Sequence, residues 1–239
     1  MRRNLIVAAA AGIAVIVLIG AGAYAYFFSG LRTSPGSLAL SASPTATSSS
    51  PTAAPTGLAG QWKVTTGSLA GYRVQELFAG ETSKHEAVAR TTNVSGSLTV
   101  SGDATGYQIS EITLAADLSS LHSVDQVAGR NVTQRDGIVS RQLNVQQFPN
   151  ATFTAASATA AGPITASPVD VTATGKLTIR GVTHAVTATA KAQVIGDRIE
   201  IAGSVTINMT DYGVSPPQVP FTTVDPTVTI EFDVFLSKA

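Results

Sequence analysis

An all-β antiparallel barrel interrupted by one short helical insert is the fold this sequence predicts, and three observations carry it. Apolar and polar residues alternate through most of the C-terminal region, the signature of strands with one buried and one wet face. The alternation fails between about Ser119 and Pro149, where apolar residues fall four apart. About 180 residues follow a low-complexity stretch, an ordinary length for one all-β domain. A sandwich would show the same alternation, but the helical interruption and the lack of the paired cysteines and central tryptophan of antibody domains weigh against it.

In chain order, Trp62 and Val64 start a first strand, and Tyr72 to Phe78 form the second after turn signals at Gly67 and Gly71. Val94, Leu98 and Val100 share one face of the next. Ile112, Leu114, Ala116 and Leu118 follow, but Tyr107 and Ile109 have the opposite parity, which predicts a bulge near Ser110. Val124, Ala128 and Val132, then Val139 and Leu143, are spaced for a helix. Ala151 to Ser157 resumes the strands. Val171 to Ile179, Val186 to Val194, Ile199 to Met209 and Val228 to Leu236 complete about nine candidates, enough to close around one elongated ligand.

Ahead of the domain, Leu5 to Phe28 is an uncharged run of 24 residues, about 36 Å as a helix against a hydrocarbon core of roughly 30 Å. Residues 1–28 are therefore expected to form a single transmembrane anchor. Arg2 and Arg3 place its N-terminus inside and the domain outside. A cleaved signal peptide is the rival reading, since Ala21-Gly22-Ala23 and Ala23-Tyr24-Ala25 are small-x-small sites. Residues 29–57, rich in Ser, Thr, Ala, Pro and Gly with Arg32 as the sole charge, are expected to be a disordered stalk, glycosylated or bare. The domain is expected over 58–239.

Composition excludes several functions. No cysteine is present, which removes disulfides, thiolate zinc sites and thiol catalysis together. The formal charge is zero, with no cluster of Lys and Arg to hold nucleic acid. His85, His122 and His184 form no two-histidine half-site, so no metal is expected. His122 with Ser123 and Asp125 offers the ingredients of nucleophilic catalysis, but without a Gly-x-Ser-x-Gly elbow a solvated strand end is the simpler reading. His184 reads as a strand cap.

Five motifs in collinear order carry a family resemblance. GSLAGYRVQELFAG (Gly67 to Gly80), NVSGSLTVSG (Asn93 to Gly102), RDGIVSRQLNVQQFPNATF (Arg135 to Phe153), KLTIRGVTHAV (Lys176 to Val186) and MTDYGV (Met209 to Val214) resemble the YceI-like lipid-binding domain, the first two its membrane-anchored branch. The resemblance spans roughly Gly60 to Ala239. It implies a lipocalin-like, up-and-down barrel that holds a polyisoprenoid or other long-chain amphiphile, needs no cofactor and performs no chemistry. Residues 127–133, longer than the usual approach to the RD motif, and Lys-His-Glu within 83–86, read as a loop, depart from the family pattern.

For such a ligand the expected apolar lining is Tyr72, Val74, Leu98 and Val100 from the early strands and Leu114, Leu118, Phe148 and Phe153 around the insert. Ile179, Val186, Val205, Ile207, Phe232 and Val234 complete it from the later strands. Arg130 and Arg135 are the head-group candidates, since an insert over the mouth could present them to phosphate. An ion pair of Arg135 with Asp136 or Asp211 is the alternative. The expected partners are a lipid and the membrane, with a homodimer left open. A ligand-free adhesive or structural module and a hydrolase remain as other classes.

Overall fold

The structure, a computed structural model, describes residues 14–24, 32–42, 57–103 and 106–239. Helix α1 covers 14–24, and the other elements are β1 (Arg32–Thr33), β2 (Gly60–Val64), β3 (Leu69–Phe78), β4 (His85–Thr91), β5 (Val94–Asp103), β6 (Gly106–Asp117), β7 (His122–Ser123), β8 (Gln126–Val127), α2 (Gln134–Leu143), β9 (Asn150–Ala160), β10 (Val169–Ile179), β11 (Val182–Ile195), β12 (Arg198–Asn208), β13 (Gln218–Val219) and β14 (Thr222–Lys238). Short 3-10 turns span Leu118–Ser120 and Met209–Tyr212.

Eight strands, β2, β5, β6, β9, β10, β11, β12 and β14, pair antiparallel in sequence order and close through the β12–β14 and β14–β2 ladders. The ring is an up-and-down barrel with no free edge of its own. β3 and β4 form a hairpin that extends the wall along β14, with β7 on its outer edge. Two-residue turns keep the last hairpins tight. Arg180 and Gly181 both have positive φ, at 53° and 76°, the twist that matches flanking strands. The expected bulge lies at Glu111, whose φ is 53° and opposite which the β5–β6 register shifts.

Ile230, Phe232 and Val234 line the first cavity, and by strand alternation the side chains of Glu231 and Asp233 turn to the other face, where the Glu231 carboxylate meets Arg73, Arg90 and Leu38 N. Both are nonetheless buried, along with Arg73, Glu200 and Gln193 on the same outer wall, because residues 32–42 lie across them. Arg73 donates to the Pro35 carbonyl (2.6 Å) and Arg90 to that of Gly36 (2.6 Å). Leu38 N donates to Glu231 (3.0 Å) and Ser41 N to Glu200 (2.8 Å), while Gln193 donates to the Ser41 carbonyl. β1 pairs with β8. This stretch of the expected stalk is therefore a strap fixed to the barrel, while 29–31 and 43–56 lie outside the described residues.

Two further expectations change. Residues 124–133 are not helical: they form β8 and turns, with Gly129 at φ 73°, and the helix begins only at Gln134. Asp136 in its first turn and Arg141 in its last suit its dipole. His85 and Glu86, read as loop, open strand β4. Among the described residues no helix is long and apolar enough to cross a membrane; of the expected anchor only 14–24 is described.

Candidate functional site

The barrel encloses two adjoining apolar cavities of about 130 and 160 Å³ that share Ala70, Ala116, Ala151, Leu177 and Ile230 as walls. The first runs deep into the ring between Leu98, Ile109 and Leu236. The second opens toward α2, under Val139, Gln142 and Leu143, and is flanked by Tyr212 and Val214. Small residues make the space: Ala173, Ala188 and Ala190 occupy inward positions where larger side chains would fill the centre. Among the described residues the linings contain no serine, cysteine or histidine, so no nucleophile–histidine pair reaches the interior.

Of the expected lining, Tyr72, Val74, Leu118, Ile179 and Ile207 wall the second cavity. Leu98, Leu114, Phe153, Val205, Phe232 and Val234 wall the first. Three lie elsewhere. Val100 is packed into the core with Leu98 and Ile109, and Val186 packs against the Leu177, Ile179 and Tyr212 cluster. Phe148 sits over the β10–β11 turn, where a Cβ on Gly181 would stand 2.8 Å from its ring.

One polar end interrupts the apolar interior. Glu76 from β3 and Arg135 from the first turn of α2 line the second cavity, backed by His85 on β4 and Asp125 between β7 and β8. Arg135 Nη2 donates to Glu76 Oε1 (2.6 Å), and Nη1 to Asp125 Oδ1 (2.7 Å) and Ser123 Oγ (3.2 Å). His85 Nε2 lies 2.7 Å from Asp125 Oδ2, so that nitrogen donates to the ionised carboxylate. Asp125 Oδ1 also accepts from Val88 N (3.1 Å) and so caps the β4 edge. Asp136 accepts from both the backbone and hydroxyl of Ser123.

Arg135 is thus a bidentate pin between helix and sheet. The expected alternative, an ion pair, holds in kind, with Asp125 and Glu76 as partners rather than Asp136 or Asp211. Arg130, the other head-group candidate, is exposed and lies over the Phe78 ring at 4.0 Å, outside the cavity lining. Phe78 in turn stacks on His85. His122 is exposed against the Ser120 carbonyl (3.0 Å), and His184 against that of Asp211 (2.9 Å).

Burial works against every charge here. It would raise Asp125, but hydrogen bonds from His85 and Arg135 and the guanidinium charge bring its carboxyl down to about 2. Glu76 stays raised because burial exceeds the pull of Arg135, and burial raises the Tyr72 phenol, keeping it a neutral donor. Glu76, His85 and Asp125 place potential ligand atoms within 4.8 Å of one another. The Arg135 guanidinium is bound to both of those carboxylates, so a divalent cation would have to compete with it.

A family model described as the YceI-like domain matches residues 62–236. Among solved structures, a polyisoprenoid binding domain from Saccharophagus degradans, implicated in plant cell wall breakdown, aligns with a TM-score of 0.53 at 17% identity, covering 76% of this chain and 99% of that one. BcnA of Burkholderia cenocepacia gives 0.47 at 19% identity, with 69% and 95% covered. A YCEI protein of Campylobacter jejuni gives 0.46 at 14% identity, with 63% and 85% covered. At these identities the likeness is one of fold. No curated protein matches the chain.

Proposed function

This chain belongs to the YceI-like domain family, and from that premise we propose that its barrel carries or sequesters a polyisoprenoid or similar long-chain amphiphile without transforming it. The observation behind the reading is the pair of adjoining apolar cavities within a closed ring. Each buried CH₂ contributes about 0.8 kcal/mol, so a dozen offer roughly 10 kcal/mol before ordering costs. The solved domain from Saccharophagus degradans, described as polyisoprenoid binding, is in keeping with it. Organic extraction of the purified full-length protein followed by lipid mass spectrometry tests the reading. A stoichiometric long-chain lipid is expected. If none co-purifies and added isoprenoids are not retained, the barrel is a structural module; turnover of ester or phosphate substrates would make it a hydrolase.

The same proposal places the barrel outside the cytoplasm on a membrane tether, on the strength of Arg2, Arg3 and the uncharged run to Phe28. Lys84 and Lys191 have side chains 52% and 59% exposed, so a membrane-impermeant amine reagent should label them in intact cells. Labelling only after lysis would overturn the orientation.

A further inference from the structure

The polar end of the second cavity carries more acid than base. Glu76, Asp125 and Asp136 stand around the single guanidinium of Arg135, tied to it directly or through Ser123. Two negative charges remain in excess with His85 neutral, and one with it protonated. Adding Arg130, which lies over Phe78 at the rim, brings the sum to minus one or zero. The neighbouring charged groups cancel in pairs: Arg32 with Glu81 and Lys84 with Asp225. With Glu76 ionised, no protonation state of His85 makes this end positive.

The hydrogen-bonding capacity has the same bias. Arg135 spends both of its terminal nitrogens on Asp125, Glu76 and Ser123. A phosphate entering the cavity would find Arg135 as the cation of the lining and would have to break a bidentate buried pair to gain it, Arg130 standing outside at the rim. Glu76 differs: Arg135 engages its Oε1, and among the described residues no donor is recorded on Oε2. Beside it Tyr72 lines the same cavity, and burial keeps its hydroxyl protonated. One acceptor and one neutral donor therefore line, beside the Arg135 pin, a space whose other walls are mostly apolar, with Thr91, Gln142 and Tyr212 as the remaining polar side chains.

We propose that this end selects lipids with an uncharged, hydroxyl-bearing head, an isoprenoid alcohol or phenol, over their phosphates, with Glu76 as the selecting residue. A head-group hydroxyl donates to Glu76 Oε2 and accepts from Tyr72, leaving the Arg135 pin intact. A phosphate meets the excess of carboxylate instead. The inference rests on the lipid-binding reading above and reverses the anionic preference that Arg130 and Arg135 imply when seen in sequence alone.

The test is a competition on the full-length protein between an isoprenoid alcohol and its monophosphate of equal chain length, read by native mass spectrometry and by titration of each lipid alone. The alcohol should bind at least about tenfold more tightly, a difference of roughly 1.4 kcal/mol. Glu76→Gln keeps the shape and one acceptor and removes a charge, so it should narrow that gap chiefly by improving the phosphate. Equal affinities, or a tighter phosphate, on the wild type would overturn the selectivity while leaving lipid binding in place. Failure of both lipids to bind would instead remove the lipid-binding reading. A gap unchanged in a folded Glu76→Gln would take the role away from Glu76; should that variant melt early, the wild-type comparison still decides the selectivity, and Tyr72→Phe, which should weaken the alcohol alone, tests the donor.

Discussion

Replacing Glu231 by alanine removes the hub of the outer wall. Its Oε2 accepts from Arg73 Nε (2.7 Å) and Leu38 N (3.0 Å), and its Oε1 from Arg90 Nε (3.1 Å) and Nη2 (3.0 Å). The carboxylate is 2% exposed and Arg73 7%, so Arg73 cannot recover its lost partner from bulk water, and Arg90, 15% exposed, does so only in part. Arg73 keeps Glu86 and the Pro35 carbonyl, and Arg90 keeps that of Gly36. Breaking such a pair from one side costs about 3–5 kcal/mol. For a domain of this size, with a shift of about 2–4 °C per kcal/mol, that is a fall in Tm of about 6–20 °C. The control is Asp170→Ala. Its bond to Lys191 is equally short at 2.6 Å, but the two side chains are 72% and 59% exposed, and such a pair contributes about 0–1 kcal/mol. Calorimetric melts of the full chain compare them. If Glu231→Ala falls no further than Asp170→Ala, burial does not set the strength of these pairs and the account of the outer wall is wrong.

Val205→Asp puts a carboxylate into the first cavity and should cost several kcal/mol, whereas Thr206→Asp on the exposed face should cost well under 1 kcal/mol; equal melting temperatures would mean the facing is misread. Burial and the Glu200 carboxylate push Asp233 up to about 7, so the stability it contributes is complete below its unfolded value near 3.8 and is lost as pH rises to about 7. Asp233→Asn should flatten that decline between pH 4.5 and 7.5, and an unchanged slope in urea melts would absolve Asp233. Asp125, held at about 2, acts in the opposite sense: its contribution is present above about 3.8 and is lost as pH falls toward 2. Arg135→Ala strands buried Asp125 and Glu76 and should cost about 3–5 kcal/mol; a variant that melts with the wild type would mean Arg135 is no pin.

The ring strands were legible wherever one face was wet. β10, β12 and the C-terminal half of β14 alternate because cavity-facing or core-facing residues take turns with Thr, Glu and Asp. β4 escaped notice for the complementary reason: Ala87, Val88 and Ala89 are all buried, since one face meets the interior and the other lies under neighbouring chain, and a strand covered on both sides loses its period. The strap left no side-chain trace because most of its grip is made by backbone groups of Pro35, Gly36, Leu38 and Ser41. Its receiving residues, Arg73, Arg90 and Glu231, look in sequence like any solvated strand face. Glu76, His85, Asp125 and Arg135 come from four separate stretches; Glu76 and Arg135 fall in two of the quoted motifs, His85 and Asp125 in none. The even spacing of Val124, Ala128 and Val132 misled because Gly129 at positive φ turns the chain there.

Force gives the strap a further meaning. A pull on the N-terminal side reaches the barrel first through the β1–β8 pairing and then through the bonds to Arg73, Arg90, Glu231 and Glu200, in series and ahead of any ring ladder. The contacts would open in succession like a zip, and residues 32–56 would pay out up to about 85 Å of slack before tension reached β2. Beyond them Trp62 holds the Leu58 carbonyl and Lys238 that of Gly57, so the barrel proper meets the load at a second fastening. The ring ladders lie behind both sets of contacts, so such a pull would draw on the strap before it loaded the walls of the cavities.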